Sequence, residues 1–312
     1  MTNTAKEIFE KHQVRKSRKQ RTDFIEYAKD FATKHGYEAK VEKGSFRTRN
    51  IVVGNPDTAK VIYTAHYDTC ASMFFPNFIA PKNFLVYLIY QLAIVVVFFL
   101  AGAILTIPVS LILSLTNLTT DVIFDISYNL MFVIVYVLLF LMMFGPANKH
   151  TANDNTSGVI TLLEIMSALP TDKRNEVAFV FFDLEELGLI GSSSFASKHK
   201  NVKKNTLVLN FDCVSDGDTM FFALKRTTKK YKDVLEKAFA SDTTHTVDVC
   251  DKFCFYPSDN ACFKGGIGVS ALNKTKSGIL YMDKIHTPKD TVFTDSNIEF
   301  FKNGAIKLID IL

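Results

Sequence analysis

The sequence predicts an α/β fold, a mostly parallel (mixed) central sheet flanked by helices and interrupted by a two-helix transmembrane hairpin. Short apolar runs alternate with amphipathic helical patterns, which is typical of α/β domains. One run, Val177–Phe182, contains no polar residue, as expected for a buried strand of a parallel sheet. Two long uncharged runs follow each other between residues 84 and 144, and these predict the hairpin.

The N-terminal third predicts one helix followed by three strands. Residues Thr4–His35 show a helical apolar pattern that Gly36 ends. Short alternating or apolar runs follow at Glu38–Glu42, Ser45–Val53 and Ala59–Ala65. The last of these leads directly into polar residues beginning at His66.

Residues 71–150 are predicted to form an insertion that crosses a membrane twice. Phe84–Leu113 and Ile126–Phe144 carry no charged residue, and a helix of roughly 20 residues spans the hydrocarbon core. The alternative is a very apolar core hairpin of a soluble domain, but two such runs would overfill a domain of this size. Residues 1–70 and 151–312 are therefore predicted to form one domain in two pieces.

Charge predicts the orientation of the hairpin. The link Ser114–Asp125 has no Lys or Arg, whereas Lys82 and Lys149 flank the hairpin and residues 15–21 are strongly basic. By the positive-inside rule, the flanks and the α/β domain face the cytoplasm. The small residues Ala101-Gly102-Ala103 offer a face for a homodimer through the hairpin.

Composition excludes some partners and compartments. A net charge of +4 is too small to imply a nucleic-acid partner. Five cysteines are few and odd in number, which fits a reducing compartment better than a disulfide framework, although Cys250 and Cys254 are close enough in sequence to pair.

After the hairpin, the α/β pattern resumes and continues to the end of the sequence. Helical patterns alternate with short apolar strands, so the strands add to the same sheet. The predicted elements are a helix at Val159–Leu169, strands at Val177–Phe182 and Thr206–Phe211, a helix at Lys229–Ala240, strands at Thr246–Val249 and Ile267–Ala271, and a helix at Asn297–Leu312.

Acidic residues and histidines cluster at the predicted strand ends, where open α/β sheets bind their ligands. Two histidines with several carboxylates suit zinc or, less selectively, manganese or cobalt. Two metals need a bridging carboxylate and about two further ligands each. Taken singly, each residue is weak evidence for a metal site, because a lone histidine at a strand end is usually structural. The candidates are His66, Asp68, Asp154, Glu185, Glu186, Asp212 and His286.

These residues lie in short motifs whose order is specific. The order resembles the co-catalytic di-zinc aminopeptidase family, which includes bacterial leucyl aminopeptidases, aminopeptidase Y and glutamate carboxypeptidase-like enzymes. The resemblance spans about Asn50 to Thr291, with the hairpin excluded. The motifs are His66-x-Asp68, Asn153-Asp154-Asn155-x-Ser157-Gly158, Glu185-Glu186-x-Gly188, Asn210-x-Asp212, Ser258-Asp259-Asn260 and His286-Thr287-Pro288-x-Asp290.

The resemblance implies a role for each metal-binding residue. Asp154 would bridge two Zn²⁺ ions (Mn²⁺ or Co²⁺ as alternatives), with His66 and Asp212 completing one site. Glu186 and His286 would complete the other.

The resemblance also implies the remaining catalytic groups. Glu185 would accept the proton of a water that bridges the metals, and Asp68 would receive the second ring N–H of His66. The Asp154–Asn155 peptide bond would be cis. Tyr256 and Tyr281 are candidate donors to the oxyanion.

The function implied is a membrane-anchored di-zinc aminopeptidase that removes N-terminal residues from peptides. A single-zinc glutaminyl cyclase is a second interpretation, against which the retained His66-x-Asp68 pair argues. A carboxypeptidase for acidic C-terminal residues would need a basic pocket, for which Lys225, Arg226 and Lys264 are available. A non-enzymatic membrane receptor or scaffold is disfavoured because no ligand has been lost.

The hairpin is the departure from the family pattern. About eighty residues separate Asp68 from Asp154, where the family has a short loop. A helical hairpin leaves and re-enters the domain at neighbouring points. We therefore predict that Ala71–Asn83 and Gly145–Thr151 form walls of the active-site cleft and that the cleft faces the bilayer surface.

Overall fold

The computed structural model describes residues 1–312, which divide into two compact units. The α/β unit comprises residues 1–83 and 147–312, and the hairpin unit comprises residues 84–146. The insertion is thus shorter than the predicted 71–150. The flanking segment before the hairpin belongs to the α/β unit because it pairs with it, as in the bridge between Ile79 and Met282, and Ala147 on the other flank pairs with Ala71.

The α/β unit contains seven α-helices. The predicted N-terminal helix is two helices, since Ser17 begins a new one with a reciprocal capping box to Gln20. The segment between them, His12–Ser17, is not helical. The helices are α1 (Asn3–Lys11), α2 (Arg18–Lys34), α5 (Gly158–Ala168), α6 (Ile190–Lys198), α7 (Lys200–Asn205), α8 (Lys232–Ala238) and α9 (Asp295–Ile311), with α3 and α4 in the hairpin.

Nine strands form one mixed sheet in the order β1-β2-β4-β3-β5-β8-β6-β7, with β9 paired to β8. Four of the eight strand pairs are parallel, including all those that join β4, β3, β5 and β8, so the sheet is less parallel than predicted. The strands are β1 (Ala39–Lys43), β2 (Arg49–Val53), β3 (Val61–His66), β4 (Val177–Phe182), β5 (Leu207–Phe211), β6 (Thr219–Ala223), β7 (Thr246–Cys250), β8 (Gly266–Lys274) and β9 (Leu280–Tyr281).

The central strands are apolar because both faces of the sheet are covered. Every residue of β3, β4 and β5 is buried. Alternate residues of β4 point to opposite sides, so Phe179 and Phe181 pack in one core cluster while Val180 and Phe182 pack in the other. This two-sided burial explains the uninterrupted apolar run that predicted the strand.

The parallel pairing brings the carboxyl ends of three strands to one edge of the sheet. His66 ends β3, Asp183 follows β4 and Asp212 follows β5. In parallel strands the side chains that follow the last paired residues lie side by side. This edge therefore collects polar groups that are far apart in the sequence.

The hairpin unit consists of α3 (Phe84–Ser114) and α4 (Thr120–Phe144). Both helices are long and apolar enough to cross a membrane, and most of their side chains are exposed. α4 begins six residues earlier than predicted, which shortens the polar link. Gly102 packs closely against Met131 of α4, so this member of the predicted dimer face is used within the hairpin itself.

Candidate functional site

The Asp154 carboxylate lies between two histidines at the polar edge of the sheet. Asp154 Oδ1 is 3.3 Å from His66 Nε2, and Asp154 Oδ2 is 3.1 Å from His286 Nε2. Each histidine nitrogen also faces a second carboxylate: His66 Nε2 is 3.4 Å from Asp212 Oδ1, and His286 Nε2 is 3.2 Å from Glu186 Oε2. Two three-residue groups therefore share one aspartate.

The five residues fit bound divalent metal. They offer two imidazole nitrogens and three carboxylates, the donor set that zinc prefers. Glu186 Oε1 is buried and has no hydrogen-bond partner. A buried carboxylate oxygen without a partner is costly unless a cation or donor meets it, so the arrangement suits bound metal.

Glu185 lies beside this cluster. One carboxylate oxygen of Glu185, one carboxylate oxygen of Glu186 and one ring nitrogen of His66 lie within 4.8 Å of one another. Burial, more than any single neighbour, raises the pKa of Glu185 well above its usual range, and the negative charges at Glu186 and Asp259 add to the rise. The Glu185 carboxylate therefore binds a proton more readily than a solvated glutamate does.

Burial and neighbouring groups shift the pKa values of Asp154 and His66 in opposite directions. Burial alone would raise the pKa of Asp154, but hydrogen bonds to His286 and His66 lower it well below its usual range. Burial alone would lower the pKa of His66, yet the charge of Glu185 and hydrogen bonds to Asp154 and Asp212 raise it. In the absence of cations, His66 acts as a counter-charge of these carboxylates.

Asp68 makes a different contact from the expected one. Its two carboxylate oxygens accept the backbone N–H groups of Glu185 and Glu186, at 3.0 and 3.2 Å. His66 Nδ1 lies 3.1 Å from the main-chain oxygen of Asp68 but 3.7 Å from its carboxylate. Asp68 therefore orients the Glu185-Glu186 loop, and its carbonyl rather than its carboxylate meets the second ring nitrogen of His66.

Asp154 is held by a residue from the far end of the chain. Asp290 accepts the backbone N–H groups of Asn153 and Asp154, at 2.8 and 3.0 Å. The Asp290–Asp154 interaction spans 136 residues of the sequence. Burial raises the pKa of Asp290 to about 7. The Asp154–Asn155 peptide bond is cis, as the resemblance implied.

A cavity of about 300 Å³ opens over the cluster. Tyr256 lines it, although its hydroxyl donates to the main-chain oxygen of Asp212 at 2.8 Å. Tyr281 does not line it and stacks on Phe78 instead. The lining residues are His66, Asn77, Ile79, Asp154, Glu185, Glu186, Gly188, Leu189, Asp212, Cys213, Tyr256, Pro257, Ile285 and His286.

The segments that flank the hairpin do contact the site. Met73 N donates to His286 O at 2.7 Å, and Asn77 and Ile79 line the cavity. On the other flank, Asn148 Nδ2 donates to Thr287 O at 2.9 Å. The basic residues considered for a carboxypeptidase pocket do not line the cavity, and Lys225 donates to the carbonyls of residues 260 and 263.

Comparison with known families decides the relationship. The sequence model described as "Peptidase family M28" matches residues 140–305, just over half of the chain. The chain belongs to peptidase family M28. Four of the five clustered residues follow the hairpin and fall inside the matched region, namely Asp154, Glu186, Asp212 and His286, whereas His66 precedes it.

A curated relative of this M28 chain is the "Probable leucine aminopeptidase" of Arthroderma otae. It is 30% identical over 152 residues, which cover 45% of this chain and 42% of the relative. The M28 chain spans less than half the length of the curated relatives it matches.

Solved structures share the fold of the M28 chain at low sequence identity. The leucine aminopeptidase precursor from Bacteroides thetaiotaomicron superposes with a TM-score of 0.58 at 12% identity, covering 98% of this chain and 94% of that one. The glutaminyl cyclase of Porphyromonas gingivalis gives a TM-score of 0.57 at 14% identity, covering 99% and 97%. The mixed α/β architecture is thus that of zinc exopeptidase structures.

Arg15 is a residue of the site that the sequence did not reveal. It is completely buried, and its guanidinium donates to the carbonyls of His12, Gln13 and Tyr67 and to Thr156 Oγ1. Its backbone N–H donates to Thr69 Oγ1 at 3.0 Å. Arg15 therefore ties the segment that carries His66 to the segment that carries Asp154.

Burial lowers the pKa of Arg15 to about 10, while the negative charges of Asp68 and Asp154 oppose that effect. The guanidinium consequently stays protonated at neutral pH and supplies a fixed positive charge under the cluster. No residue type in the basic run of residues 15–21 distinguishes Arg15 from the other basic residues. The only signal was its position two residues before Ser17, whose capping box with Gln20 begins α2.

We expect Arg15→Met to lower the free energy of unfolding by roughly 2–4 kcal/mol, because it leaves buried carbonyl groups without donors. Thermal unfolding of the purified chain in detergent measures the loss. Lys19→Met, at an exposed position in the same basic run, is the matched control and should change stability little. Equal stability of the two variants would show that Arg15 does not hold the segments together.

Proposed function

We propose that this chain is a zinc-dependent aminopeptidase with two zinc ions. His66, Asp154 and Asp212 would hold one ion, and Asp154, Glu186 and His286 the other. The observation that supports this most strongly is that the two oxygens of Asp154 face different histidines, each of which faces a second carboxylate. That arrangement provides a bridging carboxylate and two further ligands for each ion.

The chemistry is peptide hydrolysis at the free N-terminus. When bound, the ions would polarise the scissile carbonyl and lower the pKa of water. Glu185 would take a proton from the attacking water and deliver it to the leaving amine. Asp68 would keep Glu185 in position, because it accepts the Glu185 and Glu186 backbone N–H groups.

The lining of the cavity argues against a carboxypeptidase. No lysine or arginine is among the residues that line it. No basic side chain is therefore placed to bind a C-terminal carboxylate.

A glutaminyl cyclase remains the second candidate, supported by the fold shared with three cyclase structures. The two reactions differ in product. A cyclase releases ammonia from an N-terminal glutamine and leaves the peptide bond intact, whereas an aminopeptidase shortens the peptide. The paired ligand groups favour the aminopeptidase.

We further propose that the hairpin unit crosses the membrane twice and that the α/β unit lies on the cytoplasmic side. The exposure of the apolar side chains of α3 and α4 supports a lipid environment. The absence of Lys and Arg from the link supports the orientation.

The first experiment is a panel of aminoacyl fluorogenic substrates, each compared with its N-acetylated form. We expect hydrolysis only of the free-amine forms, loss of activity with a chelator, and recovery on addition of zinc. An N-terminal glutaminyl peptide in the same panel, analysed by mass, distinguishes peptide shortening from loss of ammonia. Shortening of the acetylated substrates, or ammonia as the only product, would contradict the proposal.

Glu185→Gln should reduce kcat by roughly 10²–10⁴-fold, because the amide cannot accept the proton. The zinc content of the variant, measured by elemental analysis, should match that of the parent chain. The control is Glu236→Gln, an exposed carboxylate on α8, which should keep parental turnover. Parental turnover in Glu185→Gln would remove Glu185 from the mechanism.

The membrane proposal predicts that the chain resists extraction by alkaline carbonate. Asn117→Cys, in the link, should react with an impermeant maleimide added outside intact cells, whereas Lys149→Cys should react only after permeabilisation. The reverse labelling pattern would invert the orientation. Release of the chain by carbonate would show that the hairpin is not embedded.

A further inference from the structure

A buried thiol lies next to Glu186 and His286, which form one half of the cluster. The other half is formed by His66 and Asp212, and both halves include Asp154. Cys70 follows His66 by four residues and is 2% exposed. Its sulfur, a Glu186 carboxylate oxygen and a His286 ring nitrogen all lie within 4.8 Å of one another. No role described so far uses this side chain.

The same half of the cluster contains the carboxylate oxygen that lacks a partner. Glu186 Oε1 is buried without a hydrogen bond, and the Glu186 side chain is 9% exposed. The sulfur and the unpartnered oxygen therefore belong to two residues of the group that includes His286. This combination points to a cation that binds both.

The backbone fixes Cys70 relative to His286. The carbonyl of Cys70 accepts the N–H of Asn148 at 3.2 Å, and Met73 N donates to His286 O at 2.7 Å. Thr69, the preceding residue, accepts the buried Arg15 backbone N–H. The thiol thus sits on a segment held from both sides, as a ligand position requires.

The two halves of the cluster differ in their chemistry. His66, Asp154 and Asp212 form a group with nitrogen and oxygen donors alone. Cys213 is close to that half, but its thiol donates to Asp212 Oδ1 at 3.3 Å and belongs to no group of three ligand atoms. Only the half that contains His286 brings a sulfur within ligand range.

We propose that Cys70 is an additional ligand of the cation held by Glu186 and His286. The inference rests on the proposed function, since it assumes that this half binds a cation. On binding, the thiol would lose its proton to solvent and the sulfur would bond to the metal, with no change in oxidation state. A thiolate favours zinc and other thiophilic cations over manganese or magnesium, so this position is the more selective of the two.

The test is cobalt substitution of the full chain in detergent. A thiolate bound to Co²⁺ gives a near-ultraviolet charge-transfer band that nitrogen and oxygen ligands do not give. We expect the band in the parent chain, its loss in Cys70→Ser, and its retention in Cys262→Ser, whose thiol contacts Ser192. Loss of the band in Cys213→Ser with retention in Cys70→Ser would overturn the assignment.

Two further readouts make the result decisive. In chelator competition, Cys70→Ser should release one of two zinc ions at least about tenfold more readily, while the other ion is held as in the parent. The parent spectrum alone also tests the idea, even if the variant fails to fold. Two bound Co²⁺ ions without the band would refute the role of Cys70 only, whereas no bound Co²⁺ at equilibrium dialysis would refute both proposals.

Discussion

The buried negative charge at the carboxyl edge of the sheet is the constraint on which the rest of the structure depends. Asp154, Asp212, Glu185 and Glu186 converge within a cluster that also contains two histidines. Removing carboxylates from water is costly unless an opposite charge compensates. The fixed charge of Arg15 beneath the cluster offsets part of that cost. Divalent cations would offset the remainder.

The supporting residues show how a charged site is made rigid. Asp68 holds the Glu185-Glu186 loop through two backbone N–H groups, and Asp290 does the same for the segment that carries Asp154. In both cases a carboxylate orients backbone rather than a neighbouring side chain. The reactive side chains are therefore placed by the main chain, which moves less than side chains do.

The sequence predicted the α/β class and most strands because the central strands are buried on both faces and so are uninterruptedly apolar. It also predicted which residues meet at the sheet edge, since parallel strands bring their carboxyl ends together. It did not predict the break between α1 and α2, because the apolar spacing continues across it and only the capping box at Ser17 marks it. Arg15, Asp290 and Cys70 were not assigned for a common reason: their contacts lie far away in the sequence, and the residues around them carry no periodic pattern.

The sheet order has a consequence for how the chain is made. β4 lies between β2 and β3, although it is encoded after the whole hairpin. β2 and β3 therefore lack their shared neighbour until residue 182 has left the ribosome, and domains generally fold as units during synthesis. The apolar helices emerge while the sheet is still incomplete. The topology thus orders the assembly of the chain, because the hairpin is synthesised before the central sheet can be completed.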